Sequence, residues 1–262
     1  MPAKLYGFAP RTLFARLAAE YEGADVEWIK VNPFTDAVPD SYKEKFPLGL
    51  IPGYEDGDFK LSECIAVASY IARENKAGLL GKTDEERYEI LSWCSFANDD
   101  MMALYPWFWP LTGAPWLYLK PAVEAEKAKA LKSLAYVEGH LATRTFLVGE
   151  RITLADLPFF AILGPPFATV LDAEFRKSHP NVVRHYNTIA HQPKVVKMLS
   201  AEPAAERTHL LEVGPEPVFC EKAAVHVPPK GKKGEKPSQA VKALVLRAHA
   251  RAHAEGDKRM CL

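Results

Sequence analysis

Polar and apolar positions change in short blocks over the first eighty residues and settle into a helical period afterwards. Lys4 to Phe8 (Lys-Leu-Tyr-Gly-Phe) reads as a strand. Pro10 stands where the first turn of a helix tolerates proline, and Leu13, Phe14, Leu17, Ala18 and Tyr21 follow at helical spacing. Val26 to Val31 alternates as a second strand, so the chain opens β-α-β. A loop rich in Pro and Asp comes next. Leu50 to Glu55 and Phe59 to Leu61, joined by the turn Asp56-Gly57, read as a hairpin. A helix from about Glu63 to Arg73, ended near Gly78, completes a first unit over residues 1–80.

Beyond Gly81 the pattern is helical. Thr83 with Glu86 has the form of a capping box: the hydroxyl takes a free first-turn amide and the carboxylate reaches back to the cap. The helix through Tyr88, Leu91, Cys94 and Met101 is predicted to stop at the proline-broken aromatic stretch Tyr105-Pro106-Trp107-Phe108-Trp109-Pro110. Pro121 opens another helix, with Leu131, Leu134, Val137 and Leu141 on one face, and Leu154 to about Val170 and Val182 to Ala190 supply two more. Thr153-Leu154-Ala155-Asp156 is a Thr-x-x-Asp box flanked by Ile152 and Leu157, which assigns Thr153 and Asp156 to a structural cap. Residues 83–219 thus form an all-helical unit, although regularity fades after about Glu202.

Charge and composition narrow the picture. The chain has 262 residues, 48% of them apolar, and no formal net charge, which suits a sizeable core and gives no global pull toward nucleic acid or a membrane surface. The segment 220–262 differs: from Glu221 on it holds ten Lys/Arg against four acids, with the linker-like run Pro228 to Gly234, and reads as a basic, flexible tail. Met1 to Phe8 carries no signal-peptide pattern and no long uncharged apolar run occurs, so a cytoplasmic location is expected. Cys64, Cys94, Cys220 and Cys261 show no paired spacing, so free thiols and no metal site are expected.

The specific chemistry begins at Leu50-Ile51-Pro52, followed eleven residues on by Glu63-Cys64 at a helix start. A residue before proline is held extended. With a cis Ile51-Pro52 bond the Ile51 backbone faces outward and can pair with a peptide-like ligand as an added strand would. Free amides near Glu63 and Cys64 suit a carboxylate, and the Glu63 side chain suits an ammonium. One ligand with a carboxylate, an ammonium and a peptide edge is glutathione. Taken alone, Ile-Pro also fits a strand-edge turn, and Glu63 a helix cap.

Over residues 3 to 200 this order of elements resembles the glutathione S-transferase superfamily, with its thioredoxin-like first domain and helical second domain. The resemblance places Ile51 and Pro52 at the cysteinyl backbone of glutathione and Glu63-Cys64 at its γ-glutamyl end, with Lys43 a candidate for the glycyl carboxylate. A thiol at Cys64 replaces the family's hydroxyl and is a poorer donor, while the Cys64 amide remains. Leu141 to Arg151 (Leu-Ala-Thr-Arg-Thr-Phe-Leu-Val-Gly-Glu-Arg), Phe175-Arg176, His179-Pro180-Asn181, Gln192-Pro193 and Phe219-Cys220-Glu221-Lys222 are similar to one subgroup, the transferase-like domain of the gamma subunit of translation elongation factor complex one B. That subunit continues past its Lys-rich linker, and this chain stops about forty residues after Phe219, which points to a stand-alone paralogue.

The family places Tyr, Ser or Cys just after the first strand to hold the glutathione thiolate. Here that stretch is Phe8-Ala9-Pro10-Arg11-Thr12. Thr12 is left as a hydrogen-bond donor and Arg11 as a charge that lowers a thiol pKa, against the plainer reading of an ordinary helix residue and a solvated arginine. A substrate site is expected between this loop, at Phe8, and the aromatic cluster Tyr105, Trp107, Phe108, Trp109 and Trp116, with Trp107, Trp109 and Trp116 as its wall; the cluster also suits core or dimer packing. The expected activity is a glutathione-dependent transferase or cis-trans isomerase acting as a homodimer on an unsaturated apolar small molecule, an electrophile or polyene, in fungal secondary metabolism. The alternatives are a non-catalytic elongation-factor-gamma-like scaffold in translation and a ligand-binding protein without turnover.

Overall fold

The computed structural model describes residues 2–8, 11–31, 38–111 and 119–201. The tail 220–262, Trp116, Cys220 and Cys261 lie outside the described residues. Four strands form one sheet in the order β2-β1-β3-β4: β1 (Ala3–Gly7), β2 (Val26–Lys30), β3 (Gly53–Asp56) and β4 (Phe59–Ser62). β1 runs parallel to β2 in the register Leu5 to Trp28 and antiparallel to β3 in the register Leu5 to Tyr54. Helix α1 (Leu13–Glu22) is the crossover between the parallel strands; it buries Leu13, Phe14, Leu17 and Ala18 and ends at Gly23 in the left-handed region.

One face of the sheet receives α1 and α3 (Cys64–Ile71); the other is covered by a small cluster of Tyr6, Val31, Tyr42 and Phe46. Tyr42 and Phe46 come from α2 (Asp40–Lys45) and its C-terminal cap, in the segment the sequence reads as a loop. The helix has six residues and buries only Tyr42, too little to show a period.

The helical unit contains α4 (Asp84–Asp99), α5 (Leu104–Phe108), α6 (Lys120–Leu141), α7 (Asp156–Thr169), α8 (Ala173–Ser178), α9 (Pro180–Ala190) and α10 (Pro193–Ser200). The sequence reading lacks α8 and α10. It also takes the aromatic stretch as a break, whereas 3-10 turns flank a short helix there: Met101–Ala103, then α5, then Trp109–Leu111. Pro106 lies in the first turn of α5, where no intrahelical donor is required. At α4, Thr83 Oγ1 accepts the Glu86 amide at 3.2 Å, and Glu86 returns its carboxylate to the Lys82 amide at 2.7 Å and to Arg151 at 2.6 Å. A half-exposed ion pair thereby extends the capping pattern.

Helix α7 is buried almost all round, as a continuous apolar helix at the centre of a bundle must be. Its start differs in detail from a box capped by Thr153. Asp156 is the hub: its carboxylate accepts the amides of Leu147 (2.9 Å) and Thr153 (2.8 Å) and the Thr153 hydroxyl (3.2 Å), and lies 2.8 Å from His185 Nε2. Thr153 donates here, because the carboxylate is the stronger acceptor. Both residues are fully buried, so removing the Asp156 carboxylate leaves interior donors without partners.

The two halves are tied at several points. The Leu154 amide donates to Leu79 at 2.8 Å, and Lys194 of α10 donates to the carbonyls of Glu20 and Tyr21 at the end of α1. Lys197 pairs with Glu20 at 2.7 Å. This seam fixes α1, and with it the turn after β1, against the helical half.

Candidate functional site

Two concavities meet at the start of α3. The first is an open cleft of about 210 Å³ lined by Ile51, Pro52, Leu50, Lys45, Lys60 and Glu63. The Ile51-Pro52 bond is cis. The β1–β3 ladder ends at the Tyr6–Gly53 pair, so the Ile51 backbone lies past its last rung. The Tyr42 hydroxyl donates to the Leu50 carbonyl at 2.6 Å and fixes the approach to it. Gly7 governs how close Ile51 comes: with φ at 139°, a Cβ there would stand 2.8 Å from Thr12 Cγ2 and 3.2 Å from Ile51 Cβ.

Glu63 has φ 74° and ψ 125°, a left-handed-side conformation costly for a residue with a side chain. Its side chain is exposed and makes no hydrogen bond that caps α3. An acidic group is thus held at the cleft, and the first-turn amides of α3, starting at Cys64, face the same end with their partial positive charge. Lys43 is placed elsewhere: it pairs with Asp40 at 3.2 Å and does not line the cleft, because α2 turns it outward. Lys45 and Lys60 supply the cleft's cations. Lys45 bonds Glu55 at 2.7 Å, which holds Glu55 below the usual carboxylate range and raises the lysine; the Tyr6 hydroxyl also donates to Glu55.

The second concavity lies at the junction of the halves. Cys64, Cys94, Tyr105 and Ile162 form its buried floor, and Arg11, Ile65, Asn98 and Met102 its half-buried rim. Its free volume is about 20 Å³, enough for one water-sized group. Burial pushes the Cys64 thiol up, opposed by the charge and hydrogen bond of Arg11. Burial takes Cys94 up to about 12, and its Sγ lies 3.5 Å from the Leu154 carbonyl. The Tyr105 hydroxyl is raised by burial as well, again opposed by Arg11, and has no hydrogen-bond partner.

Of the expected catalytic pair, Arg11 reaches this pocket and Thr12 does not reach either concavity. Thr12 is fully buried, with its methyl against Gly7, which removes its hydroxyl as a donor to a ligand in the open cleft. The expected aromatic wall is also rearranged. Trp107 is buried with Lys127 Nζ 5.5 Å over its ring, so it belongs to the packing against α6. Trp109 packs edge-on against Tyr105 at 4.9 Å. Phe8 is half-buried and its carbonyl accepts the Thr12 amide. Tyr105 of the aromatic stretch lines the pocket, together with Phe14 of α1. No local pattern singles it out within Tyr105 to Trp109, since the distinction lies in where the hydroxyl points.

Chemically, the cleft offers an acid, a cluster of amides, an unladdered backbone edge and two lysines to an extended zwitterion. The pocket offers two donors, Arg11 and Tyr105, to a single oxygen. Among the described residues no group of three His, Cys, Asp or Glu could hold a metal, and no helix is long and apolar enough to cross a membrane.

A four-stranded mixed sheet with helices on both faces, joined to a helical bundle, is the thioredoxin-like plus helical fold of the glutathione S-transferases. Residues 1–73 match the family described as Glutathione S-transferase, N-terminal domain, and residues 101–193 the one described as Glutathione S-transferase, C-terminal domain; the chain belongs to this family. Within it, elongation factor 1-gamma of Artemia salina is 35% identical over 245 residues, covering 92% of this chain and 55% of that protein. The Sus scrofa elongation factor 1-gamma is 34% identical over 204 residues, covering 75% and 46%. The chain therefore spans about half the length of the curated relatives it matches. Among solved structures, the GST-like domain of elongation factor 1-gamma from Saccharomyces cerevisiae superposes with a TM-score of 0.67 at 26% identity, covering 82% of this chain and 97% of that one. Glutathione S-transferase-I bound with lactoylglutathione gives 0.67 at 26% identity, covering 76% and 99%.

Proposed function

We propose that the chain binds glutathione in the open cleft. Glu63 takes the γ-glutamyl ammonium, the first amides of α3 take the neighbouring carboxylate, the Ile51 backbone pairs with the cysteinyl segment, and Lys45 or Lys60 takes the glycyl carboxylate in place of Lys43. The observation that carries this reading is Glu63: a strained, exposed acid that caps nothing, beside an unladdered backbone edge. A transferase of similar sequence that is bound with lactoylglutathione supports the same ligand class. Titration calorimetry on the parent and on Glu63→Ala is the test. Affinity at least tenfold weaker in the variant is expected, and equal affinity, or no heat from the parent, overturns the assignment.

For the role of that site, the relatives support an elongation-factor-gamma-like scaffold in translation, located in the cytoplasm and working without turnover. The absence of an accessible hydroxyl at the turn after β1 supports it too. One observation favours the second reading, a glutathione-dependent transferase or isomerase on an unsaturated small molecule, with a place in fungal secondary metabolism: Arg11 and the unpartnered Tyr105 hydroxyl converge on one pocket. A homodimer belongs to either reading and is supported by exposed aromatics such as Tyr88 and Tyr136. Co-purification with elongation-factor subunits, set beside turnover assays, separates the two roles; sedimentation gives the oligomeric state.

A further inference from the structure

The open cleft holds two lysines, and only one of them is free to meet a ligand. Lys45 commits its three N–H groups inside the fold: it donates to Glu55 Oε2 at 2.7 Å, to Glu55 Oε1 at 2.9 Å and to the Tyr6 hydroxyl at 3.4 Å. Lys60, exposed on the edge strand β4, lines the same cleft and makes no hydrogen bond or ion pair among the described residues. Its register partner across the ladder is Glu55, whose carboxyl its charge helps to hold down. Lys60 stands three residues before Glu63, about 10 Å along an extended chain. An extended γ-glutamyl tripeptide spans about 11 Å from its α carbon to its terminal carboxylate, so the two side chains suit its two ends.

Between those ends the cleft reads backbone alone. Ile51, past the last rung of the β1–β3 ladder, offers main-chain groups, which pair with a peptide whatever side chain it carries. The side chains beside it, Pro47, Leu48, Leu50 and Pro52, are apolar. Ser62 is the one hydroxyl among the described residues that line the cleft, and it adjoins Glu63 at the charged end. Thr12 is buried, and Arg11 lines the closed pocket instead, with Phe14, Cys64 and Asn98. We propose that the cleft is a site for γ-glutamyl tripeptides as a class, in which Glu63 and Lys60 fix the distance between the ligand's two ends and the thiol of its middle residue is left unread. The proposal rests on the glutathione reading above and extends it: glutathione is one member of the class, bound with its sulfur protonated, and peptides without the sulfur bind as well. Such a site suits a role without turnover, since the thiolate is the nucleophile and nothing in the cleft generates it.

Titration calorimetry on the full chain tests it with three peptides: glutathione, γ-glutamyl-alanyl-glycine, which lacks only the sulfur, and the glycine amide of the latter, which also lacks the far charge. The alanyl peptide is expected to bind within threefold of glutathione, and the glutathione complex to show no thiolate absorbance in the ultraviolet at neutral pH. The amide should bind at least tenfold more weakly than the acid. Lys60→Gln should abolish that difference without moving Tm, because the lysine it replaces is exposed and bonded to nothing. An alanyl peptide more than threefold weaker than glutathione, or thiolate absorbance in the complex, overturns the proposal while leaving the glutathione reading intact. Equal binding of acid and amide by the parent, or a difference that survives in Lys60→Gln, overturns the role of Lys60. A parent that binds neither glutathione nor the alanyl peptide defeats the earlier reading and this one together.

Discussion

The two concavities at the start of α3 are built from different material. The open cleft is made of backbone: an edge beyond the last rung of a ladder, a residue forced to positive φ, and the first amides of a helix. The closed pocket is made of side chains brought from three distant segments, at Arg11, Cys64 and Tyr105. The first suits an extended, charged and hydrated ligand, and the second a single desolvated oxygen. Backbone recognition survives changes of side chain around it, so the cleft accommodates a thiol at Cys64 where the family has a hydroxyl. Side-chain recognition does not, and one substitution at Tyr105 should be enough to silence the pocket.

The comparison is broken most severely from beneath, where both concavities depend on the same packed seam. Asp156→Ala strands two amides and the buried His185 and is expected to cost about 3–5 kcal/mol. A Tm lower by roughly 10 °C in a thermal melt checks it, with both sites lost together. Glu63→Gly separates them. Glycine accepts the local conformation freely, so stability should rise by about 1 kcal/mol. Glutathione affinity, followed by calorimetry, should fall by roughly tenfold through loss of the charge-assisted bond, with the packing around Tyr105 unchanged. A variant that melts lower would mean that Glu63 is not strained.

Cys64→Ser sharpens the boundary between the two. A hydroxyl donates better than a thiol, so glutathione should bind about threefold tighter, measured against the parent in one titration series. The smallest expected effect concerns the sheet beneath the cleft. Glu55 is held below its ordinary pKa, so the Lys45–Glu55 pair contributes fully above the usual carboxylate range and is lost as pH falls through the lowered value. In Glu55→Gln the acid limb of a Tm-against-pH profile should flatten, with a difference under about 1 kcal/mol at neutral pH.

What the sequence made legible follows the same division. The β-α-β opening, the Asp56-Gly57 hairpin, the Thr83 cap and the pairing of Ile51-Pro52 with Glu63-Cys64 are local patterns, each within a dozen residues. Helix α2 left no trace because only Tyr42 of its six residues is buried. Helix α10 does leave one: Pro193 at its start with Val195 and Leu199 inward is a short readable stripe. The prolines among the aromatics have the pattern of helix breakers, yet Pro106 falls in a first turn. The Arg11–Cys64–Tyr105 grouping could not be read from spacing, since nothing local tells Tyr105 from Trp107; only the packing of α5 against α6 and α7 turns one hydroxyl to the pocket and the buried indole toward Lys127.

The missing side chain at Gly7 has a consequence for how this cleft can evolve. Strand end, helix start and ligand-facing edge share a single van der Waals contact there, with Thr12 and Ile51 occupying the space a Cβ would fill. Residues around the rim are free to drift and retune which ligands enter, but a mutation at Gly7 would push Ile51 and Thr12 apart at once. In a library randomised across positions 6 to 12, tolerance should therefore be broad at Arg11 and collapse to glycine at position 7, even among survivors selected for folding alone.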